Sequence, residues 1–123
     1  MIVVTRHRPA DVEFFIGLAH DAFDALAGRP GFRSARLGRS AEDPTTFLVS
    51  IEWADAGSYR RSLSPVDIRV RVLPLYNSAS GEDSVFEVVY GVNADHSIID
   101  RLPDRAELGR DEFEATADVN AQA

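Results

Sequence analysis

TTFLVSIEWADAGSY, residues 45–59, is a run rich in β-branched and aromatic side chains that ends in the chain's only tryptophan and passes at once into a helix start. Side chains alternate along an extended strand, so Phe47, Val49, Ile51 and Trp53 share one face and Leu48, Ser50 and Glu52 the other. Both faces carry apolar groups, which marks a central strand. Asp55 is a good helix cap, and a short helix over Asp55–Ser62 then carries Tyr59, Arg60 and Arg61. A rigid strand thus delivers Trp53 and Tyr59, two large side chains with polar tips, to one place.

Upstream, Phe32–Ser40 (FRSARLGRS) is a polar, arginine-rich strand, and Glu42, Asp43 and Pro44 form the turn of a hairpin. Arg33, Arg36 and Arg39 read as a solvated face or as ion pairs across a dimer rather than as an anion site. Residues 2–8 (IVVTRHR) form a first strand, ended by Pro9. From Ala10 to Ala27, Val12, Phe15, Ile16, Ala19, Phe23, Leu26 and Ala27 follow the spacing of one helical stripe. Gly28 is expected to supply a left-handed stop and Pro30 to bar continuation.

Downstream, Ser64 and Pro65 look like a cap and a first helical position. Val66, Ile68, Val70 and Val72 nevertheless alternate strictly with Asp67, Arg69 and Arg71, which by pattern alone reads as a strand. Residues 77–83 are a loop, and Ser84–Val92 (SVFEVVYGV) is a strand. With a helix at 66–73 the order is βαββαβ, the ferredoxin-like split βαβ arrangement in the α+β class, with an antiparallel sheet. Two helices cover one face of such a sheet, and a second copy of the chain is the expected cover for the other.

The chain of 123 residues, 45% hydrophobic, suits one domain. It has no cysteine, which excludes disulfides, thiolate metal sites and a cysteine nucleophile. Its 13 basic residues are all arginine, which excludes lysine chemistry. Net charge is −7, against the basic footprint of a nucleic-acid binder. Residues 93–123 hold eight acids and three arginines (−5), leaving −2 for residues 1–92. They are expected to form an acidic tail, loosely ordered or packed on a dimer partner, with a turn or two of helix at 104–115. Neither a signal peptide nor a membrane span is visible, so a cytoplasmic protein is expected.

IVVTRHR, the connector RPGF (Arg29–Phe32), IEW (Ile51–Trp53) followed by ADAGSYRRSLS, and VLPL (Val72–Leu75) together resemble the antibiotic biosynthesis monooxygenase family, over residues 1–92. The resemblance requires a helix at 66–73 and implies a dimeric α/β barrel with a pocket between sheet and helices in each subunit. Members that oxidise polyketide aromatics to quinones use O2 without metal, flavin or nicotinamide. They place a Trp at the end of the third strand, a Tyr six residues later and an Arg further on. Trp53 and Tyr59 match in type and spacing, and Arg71 matches with a two-residue gap near Ser64. Where those enzymes have an Asn four residues before the Trp, this chain has Val49. Heme-degrading relatives use an Asn, a Trp and a His at positions that correspond to His7, Ser62 and Val72, so their iron ligand is missing here.

The resemblance therefore implies a cofactor-independent monooxygenase that oxidises a phenolic or polycyclic aromatic molecule with O2. Trp53 and Tyr59 would hydrogen-bond substrate oxygens, Arg71 would stabilise a phenolate, and Val49, Phe15 and Val72 would line the substrate pocket. His7, titrating near neutrality, is the candidate general base. The three histidines are too dispersed to bind a metal. The alternative is a small-molecule-binding or accessory dimer of the same fold without catalysis.

Overall fold

In the computed structural model, which describes residues 1–81 and 84–101, the run at 47–53 is strand β3 (Phe47–Trp53). It lies between β2 (Phe32–Arg39) and β1 (Ile2–His7), with β4 (Ser84–Phe86) beyond β1, and every pairing is antiparallel. Helices α1 (Val12–Ala27), α2 (Ala56–Arg61) and α3 (Val66–Asn77) interrupt the strands in the order β1 α1 β2 β3 α2 α3 β4. This is the ferredoxin-like α+β arrangement expected, with its second helical stretch in two pieces.

The sheet's inner face follows from the alternation. Val3, Thr5 and His7 of β1 lie beside Phe47, Val49, Ile51 and Trp53 of β3, and all seven are buried. Phe15, Ala19, Ala22 and Leu26 of α1 and Val72 and Leu75 of α3 close the core over them. On β2 the register slips between Phe32 and Ser34, leaving Arg33 as an extra residue. That bulge changes the phase of the strand. Phe32 can therefore meet Trp53 edge-on, at 5.7 Å between ring centres, while Ala35 and Leu37 also pack on the core. The outer face carries half-buried Ile2 and Val4 and exposed Leu48 and Phe86.

Asp43 fixes the β2–β3 turn. Its Oδ1 accepts from the Thr45 N–H at 3.1 Å and hydroxyl at 2.6 Å, and its Oδ2 accepts the Thr46 hydroxyl at 2.9 Å. These bonds, first those from the two threonine hydroxyls, hold its pKa down from the ordinary 3.8 to about 2. A depressed folded-state pKa gives stability that is present above 3.8 and is lost as the pH falls through about 2. Asp43→Asn is therefore expected to lower the melting temperature at neutral pH, with the difference from the parent closing between pH 3.8 and about 2. Melting curves across that range check it; a pH-independent difference would contradict the account.

Three local expectations are corrected. Gly28 is not left-handed: it caps α1 at φ −85°, and the positive φ, +81°, belongs to Gly31 three residues on. Ser64 is not the cap of α3. Its hydroxyl donates to the Arg61 carbonyl at the end of α2, and Pro65 takes the cap position with no side-chain hydrogen bond. The stretch Ser84–Val92 is not one strand. β4 pairs with β1 only as far as Phe86 opposite Ile2, where β1 begins, so the backbone beyond has no partner on that strand.

Residues 1–87 form one compact unit, and a second begins at Val88. Within the second, β5 (Tyr90–Val92) and β6 (Ile98–Asp100) pair as a hairpin where the tail was expected to start. Its turn is held by Asp95, whose Oδ1 accepts both the hydroxyl and the N–H of Ser97, and these bonds lower its pKa. The rest of the expected tail, including 104–115, lies outside the described residues.

Candidate functional site

The expected site residues fall into three places rather than one. At one end of β3, Trp53 is fully buried in the core, and its indole Nε1–H has no hydrogen-bond partner among the described residues. A buried donor left unpaired costs about 1–3 kcal/mol. Asp55, two residues on, caps α2 by accepting the Ser58 N–H at 2.7 Å, a bond that also lowers its own pKa. The cap starts α2 immediately after the strand and brings Tyr59 onto the edge of the core. There Tyr59 lines a groove of about 210 Å³ with Arg60, Ser62, Leu63 and Tyr76.

Val49 and Val72 lie in the filled core between sheet and helices, 1% and 0% exposed.

Arg71 is held by α1 instead. Its Nε donates to Asp21 Oδ1 at 2.9 Å, and Nη2 lies 2.7 Å from the same oxygen and 3.2 Å from Asp24 Oδ2. The hydrogen bonds it donates to Asp21, then Asp24, raise its pKa. It ties α3 to α1 on the solvent side, and the structure does not bring it together with Tyr59.

His7 sits at the opposite end of the sheet. It pairs with Phe47, six residues along β3 from Trp53 (53 − 47), a separation of roughly 20 Å at the rise of a strand. Its ring is fully buried, 4.9 Å from the ring of Phe15. Nε2 lies 2.7 Å from the Thr5 hydroxyl and Nδ1 2.9 Å from that of Ser78, the residue that ends α3. Ser78 and Phe15 line a second groove, of about 290 Å³, with Pro9, Asp11, Phe14 and Leu18. Of the expected residues, then, Trp53 and Tyr59 lie on one segment and His7 and Phe15 touch, but Trp53 and His7 stand at opposite ends of the sheet.

Sequence reasoning missed Thr5 and Ser78. Thr5 was recoverable, since residues two apart on a strand share a face. Ser78 was not, because its place depends on how long α3 runs. Among the described residues, no group of three or more histidines and carboxylates is placed to hold a metal ion, and no helix is long and apolar enough to cross a membrane.

The sequence profile of the antibiotic biosynthesis monooxygenase family matches residues 1–65. Among curated proteins, none is significantly similar in sequence. Among solved structures, SnoaB, a cofactor-independent oxygenase from Streptomyces nogalater, is similar over 71% of this chain and 90% of its own, at 19% identity and a TM-score of 0.63. A putative antibiotic biosynthesis monooxygenase from Deinococcus radiodurans is similar over 76% of this chain and 97% of its own, at 15% identity and a TM-score of 0.57. A conserved protein from Methanosarcina mazei is similar over 68% and 84%, at 19% identity and a TM-score of 0.56. Likeness at these identities establishes the shared fold.

Proposed function

The chain belongs to the antibiotic biosynthesis monooxygenase family, and from that premise we propose that it is a cofactor-independent oxygenase of electron-rich phenolic or polycyclic aromatic molecules, working in the cytoplasm as a homodimer. The observation that carries this reading is the unpartnered indole N–H of Trp53. A fully buried donor kept without an acceptor suits a ligand oxygen, and Tyr59, on the rim of the neighbouring segment, supplies a second donor. In this reading the two donors meet substrate oxygens and stabilise the negative charge that develops as the substrate is deprotonated, and the resulting anion is rich enough in electrons to reduce O2. For an anthrone, the methylene loses two hydrogens and gains one oxygen atom of O2, and the second oxygen leaves as water.

Arg71 is left out of this chemistry, since Asp21 and Asp24 hold it, and so is His7, at the far end of the sheet. A second reading, a binder without catalysis, draws on Val49 and Val72, which fill the core where a polar partner would be needed. Oxygen uptake with a panel of anthrones and hydroquinones decides between them. Substrate-dependent consumption above the uncatalysed rate is expected; its absence across the panel sinks the oxygenase.

The homodimer is supported by the sheet's outer face, where Leu48 and Phe86 are exposed beside Ile2 and Val4. In this reading the acidic residues beyond 92 pack on the partner. Light scattering at micromolar protein is expected to give twice 13.5 kDa, and a mass near 13.5 kDa excludes the dimer.

A further inference from the structure

At the turn end of the sheet's outer face we propose a binding site for a small organic phosphate monoester, its phosphate held by Arg6, Arg39 and Ser40 and its apolar part resting on Leu48. Arg6 of β1 and Gly38 of β2 pair with Leu48 of β3 from either side, so the three share a face. Because Gly38 has no side chain, the row across the sheet is a guanidinium, an apolar side chain and a gap. That gap opens a groove of about 310 Å³, floored by Leu48 at 38% exposure and bounded at the turn by Arg39, Ser40 and Thr46.

Three donor groups border it. Arg39 donates from Nε to the Pro44 carbonyl at 3.0 Å, which fixes the side chain along the turn and leaves its Nη groups for a ligand. The backbone of Arg6 is anchored too, its carbonyl accepting the Ser80 N–H at 2.7 Å. Its side chain is exposed and pairs with no acid among the described residues. Ser40 Oγ accepts the N–H groups of Glu42 at 3.2 Å and Asp43 at 3.0 Å, so its own proton remains to donate. The Thr46 hydroxyl has no proton to offer, since it donates to Asp43.

Charge sets the ligand class. The groove is lined by two guanidinium groups and no carboxylate, in a chain of net charge −7. Glu42 and Asp43, in the adjoining turn, lie outside the lining, and Asp43 is engaged by Thr45, Thr46 and, at 3.5 Å, Arg8. A phosphate monoester carries close to two negative charges at neutral pH and three terminal oxygens, one for each donor group. A carboxylate offers half that charge and two oxygens, which a single arginine satisfies. Either arginine alone would be an ordinary solvated charge. The two meet because β3 sets β1 and β2 on either side of Leu48, an adjacency that the spacing of Arg33, Arg36 and Arg39 within β2 does not contain.

Leu48 is five residues along β3 from Trp53 (53 − 48), roughly 17 Å at the rise of a strand. The inference rests on neither the oxygenase nor the dimer.

Phosphorus NMR of phenyl phosphate with the full-length protein reads binding at the phosphate itself. Saturable binding is expected, about tenfold tighter than that of two competitors: inorganic phosphate, which lacks the apolar part, and benzoate, which lacks the second charge. Arg6→Gln weakens phenyl phosphate about tenfold, the loss of one charged hydrogen-bonding group, whereas Arg33→Gln, at the bulge and outside the groove, does not. Gly38→Leu fills the hollow. Its β-carbon would meet only the Leu48 carbonyl oxygen, at 3.9 Å, so the strand accommodates it. This variant keeps its affinity for inorganic phosphate and loses the advantage of phenyl phosphate. If Gly38→Leu does not fold, the two arginine variants decide. No saturable binding, equal losses in Arg6→Gln and Arg33→Gln, or an advantage that survives Gly38→Leu overturns the proposal. So does an affinity that falls as the protein concentration is raised, since a second copy of the chain would then be filling the groove.

Discussion

Replacing Gly31 with alanine is expected to destabilise the protein by about 2–5 kcal/mol, while the same change at Gly28, three residues earlier, costs next to nothing. Gly31 has φ +81°, a left-handed conformation that costs a residue with a β-carbon about 1–2 kcal/mol. A β-carbon there would also overlap both Oγ and Cβ of Ser58, and overpacking of that kind adds about 1–3 kcal/mol. Ser58 cannot simply rotate away, because its own β-carbon is in the clash. It is buried, and its N–H is held by the Asp55 cap. The Gly31 carbonyl accepts the Ala54 N–H at 2.7 Å, so the connector is anchored on β3's exit as well. Gly28 has an ordinary helical φ and open space where a β-carbon would go. A loss of 3 kcal/mol would lower the melting temperature by roughly 12–24 °C. Ser58→Gly should recover the steric part of the loss but not the backbone part. Thermal or urea unfolding of the parent, Gly31→Ala, Gly28→Ala and Gly31→Ala with Ser58→Gly reads this directly. A Gly31→Ala protein as stable as its parent, or a Gly28→Ala protein less stable than Gly31→Ala, would show that the connector does not hold α2 in this way. Because Tyr59 follows Ser58, whatever displaces this contact displaces the groove as well.

The second large effect concerns rate. Trp53→Phe keeps an aromatic ring against Phe32 and removes the indole N–H. If that donor meets oxygen on the substrate as charge develops, kcat/KM for oxygen consumption falls by about 10²–10³-fold. Stability moves much less. The smaller ring gives up apolar contacts in a close-packed core, but the change also removes an unpaired buried donor worth about 1–3 kcal/mol. A large loss of rate with a nearly unchanged melting temperature is the signature of a donor kept for a ligand. Equal kcat/KM in parent and variant, with oxygen uptake present in both, would place the reaction elsewhere.

Much of the fold was legible because local pattern and tertiary context agree. The stripe on α1, the alternation of β3 and the Asp55 cap each specify the same element at the level of a few residues and of the whole sheet. Where they diverge, the pattern misleads. Val66, Ile68, Val70 and Val72 alternate like a strand, yet the segment is α3, with Val66 and Val70 turned to solvent at 67% and 66% exposure while Val72 and Leu75 face the core. The valines that completed the alternation, Val66 and Val70, are the ones left out of the core. The end of β4 was hidden for another reason. A strand extends only as far as its neighbour, and nothing within SVFEVVYGV records where β1 begins.

The candidate site was legible as residue types and not as a place. Trp53 and Tyr59 are close in sequence, so their neighbourhood could be read. His7 and Trp53 were joined only by the assumption that inward-facing residues converge. The pairing of His7 with Phe47 shows that facing the same way along an antiparallel sheet is compatible with lying at opposite ends of it. Arg71 was lost to a competitor that sequence spacing cannot reveal, two carboxylates on a helix fifty residues away.

That separation has a consequence for how the protein can change. Substitutions farther apart than about 10 Å with no shared partner usually add in free energy. Trp53 and His7 lie beyond that distance, and the His7 ring's hydrogen-bond partners Thr5 and Ser78 are both at its own end of the sheet. Drift in one can proceed without compensation in the other, so a lineage could abandon the chemistry at one end of the sheet and refine recognition at the other, on an unchanged scaffold.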